Sequence, residues 1–344
     1  MHSTNSIAEY DRPDISTFRN EIYPAARPAI MRRLGSDIEA VQLAAKSTAE
    51  FAAYLKDTVG SPQVKVLSGK PDAGSTFFFE DTVSSYNFDR QEMPFPAFVD
   101  QLVERGADAN MLFIEAKKIA ELSGELAQAL QLPLAPDGVE PLMWMGNKTG
   151  VQTHFDYKQN IAYVVSGSRR FTLFPPDQTP NLYMAPFERS PSGAPISMVR
   201  LDDPDYAKFP KFREAEKHAL VAELGPGDAL FIPYMWWHQV QALGDFNLLV
   251  NYWWNEYEVL GEPMPAMLHS ILTIRDLPAP MREVWQTMFE TFVFKQHGEP
   301  MEHVEPEMRG GMGPLNSAQR GELWHTVGAL VMGYVQRFRS GDKS

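Results

Sequence analysis

Two stretches decide the fold, Gly150-Val-Gln-Thr-His154-Phe-Asp156-Tyr-Lys-Gln-Asn160 and Gly227-Asp-Ala-Leu-Phe-Ile-Pro233-Tyr-Met-Trp-Trp-His238. Each joins a short β-like run to a histidine. Side chains i and i+2 of a strand point to the same face, so His154 and Asp156 can reach one ion. His238 offers a third ligand, and two histidines with one carboxylate form the facial triad of non-haem iron(II) sites. We therefore predict that these three residues bind one Fe(II).

Histidine followed two residues later by an acid is a weak signal in a chain with 8 His and 44 acidic residues. Three such pairs occur: His154/Asp156, His297/Glu299 and His303/Glu305. The last two lie in a segment rich in Pro and Gly, where no strand would fix their geometry, and we interpret them as surface residues. A lone His238 among tryptophans would be a packed core histidine, but its flanking sequence favours the ligand interpretation.

Composition and net charge exclude several classes of protein. Hydrophobic content of 44% and charged content of 22% are typical of a soluble globular chain. No apolar run reaches the ~20 residues of a membrane span, and the N-terminus lacks a secretory signal, so we expect a cytoplasmic protein without a membrane partner. The net charge of −13 argues against nucleic acid as a partner. With no cysteine, any metal must be held by His, Asp or Glu.

Short β runs between residues 142 and 254 predict a mainly β fold, a sandwich or jelly roll, with helical segments before and after it. Ser47-Thr-Ala-Glu50 is typical of a helix start. The pattern also predicts a helix over 111–130 and a hairpin around Ser166-Gly167-Ser168. A long polar insert, residues 177–217, is expected to lie over a functional site.

Apolar residues after position 258 recur at helical spacing over 281–294 and 317–338, with Asn316 and Gln319 as a cap pair. Two strongly apolar helices need a covering surface, either the β unit or a second chain. We predict a catalytic domain at 1–258, with its β core at about 140–256, and a C-terminal helical region at 259–344 that forms a homodimer.

Residues 142–256 resemble the JmjC/cupin-like Fe(II)/2-oxoglutarate-dependent oxygenases, the family that includes the asparaginyl hydroxylase of hypoxia-inducible factor. The resemblance is carried by long, ordered motifs: His154-Phe-Asp156-Tyr-Lys-Gln-Asn160, Gly167-Ser-Arg-Arg-Phe-Thr-Leu-Phe-Pro-Pro-Asp-Gln178, Asp203-Pro-Asp-Tyr-Ala-Lys-Phe-Pro210, Gly225-Pro-Gly-Asp-Ala-Leu-Phe-Ile-Pro233, Trp236-Trp-His238 and Val250-Asn251-Tyr-Trp253.

This resemblance implies a double-stranded β-helix core that binds Fe(II) and the co-substrate 2-oxoglutarate. It places Asn160 and Asn251 in the 2-oxoglutarate pocket. Arg169 stands where the family has a lysine that binds the distal carboxylate of 2-oxoglutarate. A guanidinium can bind a carboxylate bidentately, through two N–H groups. Val151 stands where the hydroxylase has a threonine, and Thr153 is the candidate to replace that contact.

The implied reaction uses dioxygen to hydroxylate a C–H bond of a protein side chain or small molecule, or to demethylate through hydroxylation. Asp156 favours hydroxylation over halogenation, because related halogenases need a small residue there. Two alternatives stay open: a metal-binding cupin with chemistry that does not use 2-oxoglutarate, and a non-catalytic barrel that binds a peptide through the insert.

Overall fold

A computed structural model describes residues 6–70, 73–80, 85–104, 110–190, 193–257 and 260–340. Within these ranges the chain forms two mixed β-sheets and several helices. The strands are β1 (Ala8–Asp11), β2 (Ala29–Arg32), β3 (Gln63–Gly69), β4 (Thr76–Phe77), β5 (Phe88–Pro94), β6 (Leu112–Lys118), β7 (Pro141–Gly146), β8 (Gly150–His154), β9 (Gln159–Ser166), β10 (Arg169–Phe174), β11 (Leu220–Leu224), β12 (Ala229–Ile232), β13 (Trp237–Ala242) and β14 (Asn247–Trp254).

The helices are α1 (Ile15–Thr17), α2 (Glu39–Lys46), α3 (Thr48–Val59), α4 (Phe95–Glu104), α5 (Gly124–Ala129), α6 (Phe212–Lys217), α7 (Pro263–Thr273), α8 (Ala279–Phe292) and α9 (Ser317–Ser340). Both predicted helix starts are confirmed. The Ser47 side chain accepts a hydrogen bond from the Glu50 backbone N–H. Asn316 and Gln319 each accept a hydrogen bond from the other's backbone N–H, which is a capping box.

The two sheets have the strand orders β1-β2-β12-β9-β14-β7-β6-β3-β5 and β11-β10-β13-β8-β4. Four consecutive strands of each, β12-β9-β14-β7 and β11-β10-β13-β8, pair antiparallel throughout and form the jelly-roll core. The predicted mainly β, jelly-roll fold with flanking helices is confirmed.

Strand β9 explains why the larger sheet is so apolar. Ile161, Tyr163 and Val165 pack against the helices in one core cluster, whereas Ala162 and Val164 pack between the sheets in another. A strand that is covered on both faces reads as a continuous apolar run and shows no alternation. The inner positions of β9, β10 and β14 therefore face the same space, and that is where the candidate site lies.

The predicted hairpin at Ser166-Gly167-Ser168 is wrong. Strand β9 lies in the larger sheet and β10 in the smaller one, so these residues carry the chain from one sheet to the other. Gly167 has a φ of +73°, and a Cβ there would overlap the Asn247 side chain. Both the backbone conformation and the lack of space therefore require glycine at position 167. A hairpin turn favours glycine as well, so the local sequence alone does not distinguish a hairpin from a crossing between two sheets.

The predicted helix over 111–130 is also wrong in its first half. Residues 112–118 form β6, and only Gly124–Ala129 is α-helical. Met111, Leu112, Phe113 and Ile114 are all buried, because β6 lies between the helix layer and the second sheet. Tertiary burial on both faces overrides the helical propensity of the Glu-Ala-Lys-Lys sequence that follows.

The chain divides into two compact units, Met1–Glu256 and Tyr257–Ser344. The predicted boundary between residues 258 and 259 lies outside the described residues. No residue described after Trp254 is buried, although α7, α8 and α9 carry many apolar side chains. None of the described helices combines the length and apolar character needed to cross a membrane.

Replacing Gly167 by Ala tests the turn between the sheets, with Gly138→Ala as the matched control. Gly138 also has a positive φ, +81°, but a Cβ there meets nothing within 4 Å. We expect Gly138→Ala to lower the free energy of unfolding by about 1 kcal/mol. Gly167→Ala should lower it by about 3 kcal/mol, because steric overlap adds to the strain. Urea unfolding measures both, and equal losses would contradict the account.

Candidate metal centre and adjoining cavity

His154 and His238 lie directly opposite each other on two paired strands. Strand β8 ends at His154 and pairs antiparallel with β13, in the register His238↔His154. Asp156 follows two residues later, and its backbone carbonyl accepts a hydrogen bond from the Met235 N–H at 3.0 Å. One ligand atom from each of the three side chains lies within 4.8 Å of the others.

Backbone carbonyls orient both imidazoles. The Nδ1 atom of His154 donates to the Gln152 carbonyl at 2.8 Å, and that of His238 donates to the Trp236 carbonyl at 2.9 Å. With each Nδ1 engaged in this way, Nε2 is the ring atom left to bind a metal. His238 Nε2 lies 3.7 Å from Asp156 Oδ2.

The electrostatics of the three side chains suit a cation. Burial, together with the nearby His154, lowers the pKa of His238 to about 3, so the ring is neutral at pH 7. Burial raises the pKa of Asp156, opposed by His154 and Lys158, and its Oδ2 is buried without a hydrogen-bond partner. Two histidine side chains and an unsatisfied carboxylate oxygen form a buried triad compatible with iron.

A narrow cavity adjoins the triad and runs between the two sheets. The residues that line it come from seven strands and from Asp156: Phe113, Trp144, Val151, His154, Asp156, Asn160, Arg169, Phe171, His238, Val240, Leu249, Asn251 and Trp253. The structure thus brings six of the seven predicted site residues together. Thr153 is fully buried but does not line this cavity, whereas Val151 does.

Arg169 is a buried cation without a counterion. Its residue is 1% exposed, and its guanidinium donates to the Trp144 carbonyl at 3.3 Å. Within the described part of the chain no carboxylate lies within 4.0 Å of it, and its Nε has no partner. Burial lowers its pKa to about 10, so it remains charged at pH 7. An unpaired buried charge is costly, and an anionic ligand in the cavity would relieve that cost.

Hydrogen-bond donors dominate the rest of the lining. Asn251 donates its amide to Asn160 Oδ1 at 3.0 Å, which fixes both side chains. The indole N–H groups of Trp144 and Trp253 are buried without a partner, and the two rings meet edge to face at 5.7 Å. Sequence reasoning missed both tryptophans as cavity residues, although both lie within the segment 142–254 that predicts short β runs. A donor-rich cavity favours a ligand rich in acceptors.

The polar insert is anchored to the strand that carries His154. Ser197 N–H donates to the Thr153 carbonyl at 2.8 Å, and an isolated bridge pairs His154 with Ile196. Gln152 reinforces this junction by donating its amide to the carbonyls of Ser197 at 3.0 Å and Val199 at 2.6 Å. Because the Gln152 carbonyl also orients His154, this one residue links the insert to a candidate ligand.

Gln152→Leu tests this link, with Gln241→Leu on the neighbouring strand β13 as the control. The leucine leaves two buried carbonyls unpaired and loosens the strand that carries His154. We expect Co(II) affinity, titrated through the cobalt absorption bands, to fall at least about tenfold for Gln152→Leu and to stay unchanged for Gln241→Leu. The same affinity in both variants would show that the insert does not support the triad.

Curated relatives match the chain over different lengths. The human HSPB1-associated protein 1 is 38% identical over 120 residues, which are 33% of this chain and 23% of that protein. The zebrafish tRNA wybutosine-synthesizing protein 5 is 26% identical over 267 residues, 71% of this chain and 74% of that protein. The lysine-specific demethylase JMJ31 of Arabidopsis thaliana is 35% identical over 110 residues, 32% of this chain and 20% of that protein.

The matched segment therefore spans less than a quarter of the HSPB1-associated protein, so the similarity concerns only that part of the relative. A family model described as a cupin-like domain matches residues 15–258, which include every strand named above except β1. Together with the two-sheet core and its buried triad, this match establishes that the chain belongs to the cupin-like domain family.

Proposed function

We propose that this protein is an Fe(II)- and 2-oxoglutarate-dependent oxygenase that hydroxylates a C–H bond. The observation that carries the proposal is Arg169, a buried cation that no carboxylate of the described residues pairs with, in the same cavity as a His-Asp-His triad. A cation and a metal triad in one cavity suit a ligand that carries a carboxylate for each of them. 2-Oxoglutarate has that chemistry.

The chain's own side chains have distinct roles in this proposal. His154, Asp156 and His238 would hold Fe(II), which when bound supplies the activation of dioxygen with electrons from 2-oxoglutarate. Arg169 would bind the distal carboxylate, and Asn160 and Asn251 would orient the co-substrate by hydrogen bonds. The aromatic wall of Phe113, Trp144 and Trp253 would exclude water from the reacting groups.

Membership of the cupin-like family does not by itself identify the substrate. One relative is named for tRNA wybutosine synthesis and another for lysine demethylation, so cupin-like relatives differ in what they act on. We propose a protein side chain or a small molecule as the substrate of this chain, either hydroxylated or demethylated through hydroxylation, in the cytoplasm.

Anaerobic titration tests the co-substrate site, with Arg169→Met compared with Arg170→Met. Arg170 is adjacent but exposed, and it is paired with Glu223 at 2.6 Å. Iron(II) with 2-oxoglutarate should give a visible charge-transfer band in the parent protein and in Arg170→Met. Arg169→Met should need at least about a hundredfold more 2-oxoglutarate, because the distal carboxylate loses a charge-assisted pair in a dry site.

Two outcomes would overturn the proposal. Metal binding without any band would indicate a metal-binding cupin with other chemistry. Failure to bind metal, with partner binding intact in His154→Ala, would indicate a non-catalytic barrel. Arg169→Lys serves as a conservative rescue, since it keeps the positive charge that the distal carboxylate requires.

We also propose that the C-terminal unit pairs two chains. Leu272 on α7 is 82% exposed and Phe338 on α9 is 85% exposed. Helix α9 exposes seven further large apolar side chains: Leu323, Trp324, Val327, Leu330, Val331, Met332 and Tyr334. A helix with apolar residues on several faces is one that packs inside a larger assembly. A second copy is the occupant that requires no other partner.

Light scattering of the intact protein should give twice the chain mass of 38.8 kDa at micromolar concentration. Leu330→Glu should shift the protein to the monomer mass, because a carboxylate placed in an apolar interface loses its hydration. Gln336→Glu, on the same helix, should remain dimeric. A monomeric parent protein, or a Leu330→Glu variant that stays dimeric, would rule out this interface.

A further inference from the structure

Arg169 gives the cavity between the sheets a positive charge that no acidic side chain offsets. Asp156 is the one acid among the described lining residues, and it belongs to the triad. Along β10, Leu173 is opposite His238 and Arg169 is opposite Ala242. The backbone of Arg169 is thus four residues, about 13 Å, along the strand from the level of His238. Burial alone lowers the Arg169 pKa, so no nearby carboxylate stabilises its charge.

The Arg169 guanidinium reaches from the smaller sheet to the larger one. It donates to the Trp144 carbonyl of β7 at 3.3 Å, the one hydrogen bond that the described residues offer it. Its Nε is buried without a partner. A guanidinium carries five N–H donors and no acceptor. The side chain is therefore held by a single neutral contact and retains N–H groups for a ligand.

Two indole N–H groups add to this set of donors. Trp144 and Trp253 line the same cavity, and their Nε1 atoms are buried without partners. The two rings meet edge to face at 5.7 Å. An indole N–H donates and never accepts, and a buried donor without an acceptor is destabilising. Together with Arg169, the two tryptophans favour a ligand that carries negative charge and accepts several hydrogen bonds.

The volume of the cavity limits the size of that ligand. It measures about 30 Å³, whereas one water molecule needs roughly 10–15 Å³ and sites for drug-sized ligands measure about 300–1,000 Å³. In this conformation the cavity holds one small ion with a water molecule beside it. A larger anion, 2-oxoglutarate included, requires the lining side chains to move outward.

We propose that Arg169, Trp144 and Trp253 form a binding site for a small inorganic anion such as chloride, which neutralises the guanidinium when no organic ligand fills the cavity. The anion would accept hydrogen bonds from the guanidinium and from both indoles, and charge-assisted bonds of this kind are the strong ones. This inference concerns the metal-free cavity and does not depend on the proposed oxygenase function. Where both hold, the inorganic anion competes with 2-oxoglutarate for Arg169, and its concentration regulates access to the site.

Broadening of the NMR signal of chloride tests the site in the intact, EDTA-treated protein. Bound chloride relaxes rapidly, so the parent protein should show excess broadening that sodium nitrate reverses. Sodium gluconate at the same concentration should not reverse it, because gluconate is too large for the cavity. Treatment with EDTA removes metal ions, so the signal does not come from chloride on a metal at the triad.

Arg169→Met should weaken chloride binding at least about tenfold, because methionine keeps the apolar bulk but removes the charge. Trp144→Phe should weaken it about three- to tenfold, through the loss of one neutral hydrogen bond. Arg170→Met is the matched control, because Arg170 is exposed and paired with Glu223; it should bind chloride as the parent protein does.

Thermal melting checks folding and gives a second readout. Arg169→Met should stay folded, because it removes an unpaired buried charge. Replacing gluconate by chloride at equal ionic strength should raise the melting temperature of the parent and of Arg170→Met by about 2 °C, but not that of Arg169→Met. The inference is overturned if the parent shows no excess broadening, if gluconate reverses it as nitrate does, or if Arg169→Met retains either effect of chloride.

Discussion

The pairing of His154 with His238 across two antiparallel strands is the constraint on which the rest of the site depends. A slip of one residue would turn either imidazole to the opposite face of the sheet. The register shift between His238 and Val240 allows Val151 and His154, which are three residues apart, to face the same cavity. Strand β8 must therefore be held on both edges, by β13 on one side and by β4 and the insert on the other.

The inner faces of the jelly roll carry both apolar residues, which stabilise the fold, and buried polar residues, which reduce its stability. Apolar side chains from both sheets form the core between them, yet Arg169, Asn160 and Asn251 occupy equivalent inner positions of their strands. A buried guanidinium without a counterion reduces stability. The helices on the outer face of the larger sheet offset this cost, because they bury Phe51, Phe98 and many other apolar residues there.

Much of the architecture could be predicted from sequence because its signals are local. The strands after residue 140, the caps at Ser47 and Asn316 and the approach of Asp156 to His154 depend on short-range periodicity and spacing. The errors have a different origin. Strand β6 depends on burial from both sides, and the passage between sheets at Gly167 depends on Asn247, which is distant in sequence.

The position of β2 in the larger sheet affects how the chain folds during its synthesis. Strand β2 pairs with β12, in the register Met31↔Ala229, so an N-terminal strand has its partner near the end of the β unit. At about 5–20 residues per second, a ribosome needs roughly 10–40 s to synthesise the intervening chain. During that time β2, which is almost wholly apolar, can pair with β1 on one edge, but the edge that β12 will cover stays open. An open apolar strand edge can pair with other chains, so the nascent protein is exposed to aggregation until β12 has been synthesised.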